Sequence, residues 1–154
     1  MRFPSGFVLV LFILIAYGAK SQEGAMEGID AHFMQAGYYD DLEDAVANAD
    51  SALYLDLSLQ SPKLKNVPAD VFKLKKLRYL ELGFNQISTV DERILQLKDL
   101  EVLGLDGNRY LKSLYPNLSG LGRLREIHVK ETGLSNEQIG ALRAVLPKGC
   151  KLIH

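Results

Sequence analysis

Carboxylates and histidines are the residues of this chain whose types and spacing could support chemistry, and one acidic cluster stands out. Asp40, Asp41, Glu43 and Asp44 follow one another almost without interruption. Oxygen ligands of this kind suit Ca²⁺, but the residue spacing of the calcium-binding loop is missing. Carboxylates also gather at helix N-termini, where the helix dipole favours negative charge. We therefore expect this cluster to begin a helix, and we predict no metal site.

A second candidate is His128, which follows Glu126 at the next position but one. A histidine beside Glu126, or beside Glu81 of a neighbouring strand, could serve as an acid–base pair. Such chemistry usually requires an enclosed pocket, which an open sheet does not offer. The chain also has no Gly-x-Ser-x-Gly, no His-Glu-x-x-His and no phosphate-binding glycine loop. The sequence therefore predicts a protein that is not an enzyme and binds no cofactor.

The elements that would position these residues follow from a leucine pattern that is written twice within residues 77–122. Each copy reads Leu-x-x-Leu-x-Leu-x-x-Asn, ending first at Asn85 and then at Asn108. The step from Leu80 to Leu103 is 103 − 80 = 23 residues. Alternate residues of such a copy point into the core, as they do in a strand. The pattern predicts one strand per copy and buried asparagines that bond backbone groups at the turn.

Looser copies and two helical patterns flank this pair. ALYLDLSLQ precedes it and LREIHVKET follows it. Before the first copy, Asp40 and Glu43 match a capping box for a helix, and after the last copy Ser135 and Gln138 match another. CKLIH predicts a final strand. The chain therefore predicts stacked coils with a cap at each end, because a single coil cannot bury its own leucines.

Residues 42–154 resemble a short leucine-rich repeat domain of the bacterial type, most specifically in the two copies that carry asparagine. The resemblance implies an α/β solenoid with a short parallel sheet of four to five strands on its concave face. It also implies an N-terminal capping helix, a C-terminal helix–strand cap, and irregular or 3₁₀ turns in the middle coils. Members of this family commonly bind proteins, and sometimes glycans, on the concave face.

A partner on that face would meet the side chains that alternate with the leucines. Tyr54 and Tyr79 should be lateral neighbours, and tyrosine is favoured at interfaces because it buries much area at low entropy cost. An acidic row beside them favours a basic or amine-bearing partner. Gly104 and Gly107 either leave an indentation that admits a side chain or only relax the turn. The predicted partner-binding residues are Tyr54, Asp56, Tyr79, Glu81, Phe84, Asp106, Glu126 and His128.

The start of the chain indicates export. A positively charged start precedes an unbroken apolar run, and Ala16 and Gly18 place small residues where a signal peptidase acts. We predict a signal peptide at residues 1–19, a linker at 20–39 and the repeat domain at 40–154. A membrane anchor is the alternative, although the run is shorter than the roughly 20 apolar residues of a span. The expected location is periplasmic, extracellular or cell-surface, with no membrane span after cleavage.

Composition narrows the functional class. The formal charge is −1, from 18 basic and 19 acidic residues, and no long basic run is present, which disfavours nucleic-acid binding. Cys150 is the single cysteine, so no internal disulfide can form. We predict an exported module that recognises another protein, of unknown identity, through its concave strand face. The alternatives are a structural component of the cell envelope without a dedicated ligand, and a glycan-binding module.

Overall fold

A computed structural model of the chain describes residues 37–154. The predicted signal peptide and most of the predicted linker lie outside these residues. The strands are β1 (Tyr38–Tyr39), β2 (Tyr54–Asp56), β3 (Tyr79–Glu81), β4 (Thr89–Val90), β5 (Val102–Gly104), β6 (Ser113–Leu114), β7 (Glu126–His128) and β8 (Lys151–Ile153). The α-helices are α1 (Leu42–Ala47) and α2 (Asn136–Val145), and the 3₁₀ helices are η1 (Ala69–Lys73), η2 (Glu92–Gln96) and η3 (Leu118–Gly120).

Six of these strands form a parallel sheet in the order β1-β2-β3-β5-β7-β8. Equivalent repeat positions lie side by side, so that Leu55, Leu80, Leu103 and Ile127 form one continuous row. A second parallel sheet pairs β4 with β6. The predicted α/β solenoid is confirmed, and its middle coils return through the 3₁₀ helices that the resemblance implied.

The sheet has more strands than the four to five predicted. Tyr38 and Tyr39 pair with Tyr54 and Leu55, which adds β1 from the end of the segment assigned to the linker. Tyr39 packs against the core, as Leu55 does in the next coil. A two-residue strand is too short to show hydrophobic periodicity, so the sequence pattern could not reveal it.

The inward leucines of the repeat fill one continuous core. Leu80, Leu82, Leu103 and Leu105 are at most 1% exposed. Truncating such a residue leaves a cavity as well as removing apolar contacts, which typically costs about 2–5 kcal/mol. The strands therefore rest on a closely packed interior, and their outward side chains are held on a rigid support.

The two asparagines of the repeat are buried, as predicted. Asn108 donates from Nδ2 to the carbonyl oxygens of Leu82 and Leu105, and its Oδ1 accepts the N–H of Ile87. Asn85 makes the equivalent bonds in the preceding coil. Because Leu82 and Ile87 belong to the coil before that of Asn108, each asparagine joins its own coil to its neighbour.

In four coils, the residue just before the asparagine position of the repeat, which forms the corner of the coil, has a left-handed backbone conformation. The φ angle is 53° at Leu59, 55° at Phe84, 72° at Gly107 and 53° at Glu131. This conformation costs a residue with a Cβ about 1–2 kcal/mol, whereas glycine adopts it freely. Leu59, Phe84 and Glu131 are therefore strained at this turn, whereas Gly107 adopts the same conformation without strain.

The two ends of the solenoid carry the predicted helices. At α1 the N-cap is Asp41, whose carboxylate accepts the Asp44 N–H at 2.9 Å. The capping box predicted at Asp40 and Glu43 is wrong by one residue, because β1 keeps the chain extended before the helix begins. At α2 the capping box of Ser135 and Gln138 is confirmed. Within residues 37–154, no helix has the length and apolar character to cross a membrane.

Candidate functional site

The outward side chains of the six-stranded sheet form rows that cross the strands, and we call this surface the strand face. One row contains the tyrosines and a second contains the acidic residues. The tyrosine row is Tyr38, Tyr54, Tyr79, Val102, Glu126 and Lys151; the acidic row is Asp56, Glu81, Gly104, His128 and Ile153. All eight predicted partner-binding residues are half-buried.

Three tyrosines stack along the first row. The ring centroids of Tyr38 and Tyr54 are 5.1 Å apart at an interplanar angle of 29°, and those of Tyr54 and Tyr79 are 5.7 Å apart at 21°. The lateral pairing predicted for Tyr54 and Tyr79 is confirmed. Burial raises the pKa of both Tyr38 and Tyr79, so their phenols stay neutral. Because the rings stack, their faces turn toward one another.

Tyr38 was missed by the sequence reasoning because it lies in the segment assigned to the linker. A signal for it exists in the sequence: a tyrosine, an apolar or aromatic residue and a carboxylate recur at the first three strands of the sheet. The recurring triplets are Tyr38-Tyr39-Asp40, Tyr54-Leu55-Asp56 and Tyr79-Leu80-Glu81. This shared triplet identifies β1 as an extra coil position.

The acidic side chains of the strand face are fixed by backbone hydrogen bonds. Asp56 accepts the N–H of Ser58 at 2.8 Å, and Glu81 accepts the N–H of Gly83 at 2.9 Å. Asp106, just beyond β5, accepts an N–H from the next coil at 2.6 Å. These carboxylates satisfy donors that the strand ends leave unpaired. They are therefore part of the fold as well as candidate contacts for a partner.

The two glycines of the third coil are covered by side chains of the preceding coil. A Cβ at Gly104 would overlap the Glu81 carboxylate, and a Cβ at Gly107 would meet the ring of Phe84. The sequence left open an indentation at these glycines. The structure fills this space with Glu81 and Phe84, so no indentation is available to a partner.

Burial gives Glu81 an unusual charge state. It raises the pKa of this carboxyl to about 7, and the negative charges of Asp56 and Asp106 act in the same direction. The hydrogen bond from Gly83 opposes the shift but does not cancel it. Burial also raises the pKa of Asp106. Near neutral pH, Glu81 therefore carries only part of a full negative charge.

His128 and Glu126 lie together, as the sequence suggested, with Lys151 as a third member. Glu126 Oε1 is 3.1 Å from Lys151 Nζ, and Glu126 Oε2 is 3.5 Å from His128 Nε2. The Lys151 hydrogen bond and His128 lower the pKa of Glu126. A carboxylate held in its charged form by a lysine is a weak base. This arrangement on an open strand face is that of an ion-pair cluster.

An ion-pair ladder lies immediately before the strands, one residue ahead of the tyrosine row. Glu101 is 8% exposed and lies 2.7 Å from both Nε and Nη2 of Arg78. Its other oxygen is 3.7 Å from Arg125 Nη1. The Arg78 guanidinium also lies 6.0 Å from the ring centroid of Tyr79. Sequence reasoning missed this ladder, although its three members share one repeat position directly after the first leucine of each copy.

Metal-binding geometry is not found in the part of the chain that the structure describes: no three His, Cys, Asp or Glu residues there are grouped to hold an ion. In the acidic cluster at 40–44, Asp41 caps α1. Cys150 is half-buried, and its burial together with the charge of Glu126 raises the pKa of its thiol. The thiol is thus kept in its less reactive, protonated form.

Parallel strands in register, joined by 3₁₀ segments and tied together by buried asparagines, define a leucine-rich repeat solenoid. The family model described as "Leucine rich repeat" matches residues 55–110. Over these residues the chain is similar to leucine-rich repeat proteins. Domains of this class generally bind other proteins and are generally non-enzymatic.

Among solved structures, a leucine-rich repeat protein of Leptospira interrogans is similar to this chain, with 23% sequence identity and a TM-score of 0.45. The similarity covers 75% of this chain and 34% of that protein, so the present chain spans about a third of its length. No curated protein sequence matches the chain.

Proposed function

We propose that this protein is a non-catalytic module that recognises another protein through its strand face, the face predicted to be concave. The observation that carries the proposal is the stack of Tyr38, Tyr54 and Tyr79 on a rigid sheet. Side chains that are already ordered by their neighbours lose little conformational entropy when a partner binds. Tyrosine also combines a large apolar ring with a polar tip, which suits a protein interface.

The partner that fits best carries basic groups. Asp56, Glu81 and Asp106 present carboxylates beside and beyond the tyrosines, while Glu126 and His128 lie farther along the same face. Charge complementarity of this kind mainly sets specificity and the rate of encounter. The face is small, which favours modest affinity or a site shared with a further chain.

A glycan is a less suitable ligand for this surface. Sugar recognition by aromatic residues needs an open ring face against which the sugar can stack. The central ring, Tyr54, has a tyrosine on either side at centroid distances of 5.1 and 5.7 Å. Its two faces are therefore turned toward other rings, and the tyrosine stack favours a protein partner over a sugar.

Export is a separate part of the proposal and rests on the apolar segment within residues 1–19. If this segment is a signal peptide, protein recovered outside the cytoplasm will lack it. Mass spectrometry of the mature N-terminus is the measurement. Recovery of the uncleaved chain in the membrane fraction would instead support the anchor.

The strand-face proposal can be tested by affinity capture from an extracellular and envelope extract, followed by measurement of binding to each captured protein. The test variant is Tyr54→Ala/Glu126→Lys, which removes the middle ring of the stack and reverses one charge. The matched control is Tyr110→Ala/Glu92→Lys, which makes the same two changes outside the strand rows. Both variants should keep the far-ultraviolet circular dichroism of the parent, because none of the four substituted residues lies in the buried core.

The proposal expects a protein that binds the parent and the control equally and binds the test variant at least about tenfold more weakly. Such a loss corresponds to about 1.4 kcal/mol of binding free energy. Equal binding to both variants would place the interface elsewhere. Capture of nothing by the parent would favour the structural role without a dedicated ligand.

A further inference from the structure

A groove of about 560 Å³ lies at the N-terminal end of the solenoid, and its lining includes no residue of the ion-pair ladder or the tyrosine stack. It is bounded by α1 on one side and by the first coil on the other. Its apolar lining comes from Leu42 and Val46 of the helix and from Leu64 and Pro68 of the coil. All four are half-buried, so the groove presents apolar surface that the fold does not fully cover.

The repeat architecture explains why this surface is left open. Every inner coil is covered on both sides by a neighbour, whereas within residues 37–154 the first coil has only the short strand β1 and the helix α1 on its outer side. A helix of six residues is about 9 Å long, which is too short to cover a whole coil. The corner residue of this coil is Gln60, which also lines the groove and makes only a 3.5 Å hydrogen bond to the Ser58 carbonyl oxygen.

The charge around the groove indicates what could occupy it. Its rim carries carboxylates from both sides, including Glu43 on α1 and Asp70 on η1, and both residues are exposed. The chain's own preceding segment, residues 20–36, has three acidic residues and one lysine. Like charges repel, so this segment is a poor match for the rim. A basic segment with apolar side chains is complementary to both the rim and the floor.

We propose that this groove is a second docking site, which takes a short basic peptide segment of a partner protein with apolar side chains between its lysines or arginines. The apolar side chains lie against Val46 and Leu64, and the basic groups pair with the carboxylates of the rim. The site does not depend on the function proposed for the strand face. Its volume is within the range of about 300–1,000 Å³ that is typical of ligand sites.

The probe is an acetylated and amidated heptapeptide of alternating lysine and leucine, titrated into the ¹⁵N-labelled chain from Lys20 onward. We expect saturable shifts of amide resonances around Val46 and Leu64, with a dissociation constant below about 1 mM. Two control peptides replace every leucine by serine or every lysine by glutamate. Neither control should give saturable shifts, because each one lacks half of the proposed complementarity.

The variant Glu43→Lys/Asp70→Lys reverses two rim charges and should weaken heptapeptide binding about tenfold. Glu92→Lys/Glu137→Lys changes the net charge equally at exposed positions outside the groove, and should change the affinity less than about twofold. If both variants weakened heptapeptide binding equally, the loss would come from the net charge of the protein and not from the groove, which would overturn the proposal. Absence of saturable groove shifts with the parent, or shifts confined to the strand face, would also overturn it.

The chain's own segment is tested with the same probe. If residues 20–36 occupy the groove, their removal will shift the groove resonances without peptide, and only the shortened chain will bind the heptapeptide. That result would contradict a partner site. Equal peptide affinity of the two chain lengths is the result we expect.

Discussion

Glu81 has both a structural and an electrostatic role within one side chain. Its carboxylate accepts the Gly83 N–H and covers Gly104 of the next coil, which fixes it on the strand face. The same burial raises its pKa to about 7. The folded protein therefore binds a proton at this group between about pH 4.5 and pH 7, where the unfolded chain has released it. Stability from this group is complete below pH 4.5 and is lost as the pH rises through 7.

The first prediction concerns Glu81→Gln, which keeps the shape of the side chain without its charge. The variant should match the parent near pH 4.5 and exceed its free energy of unfolding by about 3 kcal/mol at pH 8. Urea unfolding at pH values from 4.5 to 8 measures this difference. If the free energies of unfolding of the parent and the variant differed by the same amount at every pH, Glu81 would be ionised in the folded protein at little cost, which would contradict the prediction.

The sequence was enough to predict which side chains lie on the strand face, but not how those side chains contact one another. The alternation with leucine is enough to assign Tyr54, Asp56, Tyr79 and Glu81 to the outward rows. The overlap of Glu81 with Gly104 depends on the distance between adjacent coils, which no local pattern contains. For this reason the indentation at the glycines was left as an open alternative, and whether these residues bind a partner stays a prediction.

The turn at the end of each outward row is an element-scale property of the repeat. Four coils place a residue with positive φ at the same position, and only Gly107 among these residues has no Cβ. Gly140 contrasts with it, since it lies inside α2 and, apart from the backbone of its own helix and its chain neighbours, no atom lies within 4 Å of where its Cβ would be. The two glycines differ in backbone conformation and in the space around them, so the same substitution should act in opposite directions.

The second prediction compares Gly107→Ala with Gly140→Ala. The first should lower the free energy of unfolding by at least about 2 kcal/mol, from the left-handed conformation and the contact with Phe84. The second should raise it by about 0.5–1 kcal/mol, because alanine is the better helix former. Thermal and urea unfolding of both variants measures the two effects. Destabilisation by Gly140→Ala would contradict the prediction, because it would mean that the added methyl group meets other atoms on this face of α2.

Elements with a local chemical signature could be predicted, and those without one were missed or displaced. Ser135 and Gln138 carry the complete capping-box pattern, and α2 begins where they indicate. The acidic run at 40–44 offers several caps of equal quality, so sequence alone placed the start of α1 at Asp40 and not at Asp41. The strand β1 depends on pairing with β2, which is a tertiary contact.

The whole molecule is held together by contacts between adjacent coils. Asn108 binds backbone groups of its own coil and of the preceding one, and it is fully buried. Gln60 occupies the same repeat position in the first coil, which only β1 and α1 precede within residues 37–154, and its side-chain hydrogen bond to the Ser58 carbonyl oxygen is 3.5 Å long. The repeat position thus has a coupling role only where two coils meet.

The third prediction is that Asn108→Ala lowers the free energy of unfolding by at least about 3 kcal/mol. It leaves the carbonyls of Leu82 and Leu105 and the N–H of Ile87 without their partner, and unsatisfied buried groups cost about 1–3 kcal/mol each. Gln60→Ala, as the matched control, should cost less than about 0.5 kcal/mol. Urea unfolding followed by circular dichroism compares them. Similar losses for both variants would contradict a coupling role for the asparagine.

The overall architecture was predictable because one short pattern recurs and each copy needs the next to bury its leucines. Length of the repeat, strand direction and both caps follow from that single requirement. The groove between α1 and the first coil does not follow from this requirement, because its position depends on how far a six-residue helix extends over that coil. Partner identity is a property of surfaces that meet, and only one of the two surfaces is contained in this chain.

The stack of Tyr38, Tyr54 and Tyr79 also determines how the protein absorbs ultraviolet light. The chain has seven tyrosines and no tryptophan, so phenol rings dominate its near-ultraviolet spectrum. Rings with centroids 5.1 and 5.7 Å apart are close enough for their electronic transitions to couple. A ligand that contacts these rings will change the near-ultraviolet circular dichroism. The strand face therefore contains an intrinsic optical reporter of its own occupancy, and no dye or fusion is needed to follow it.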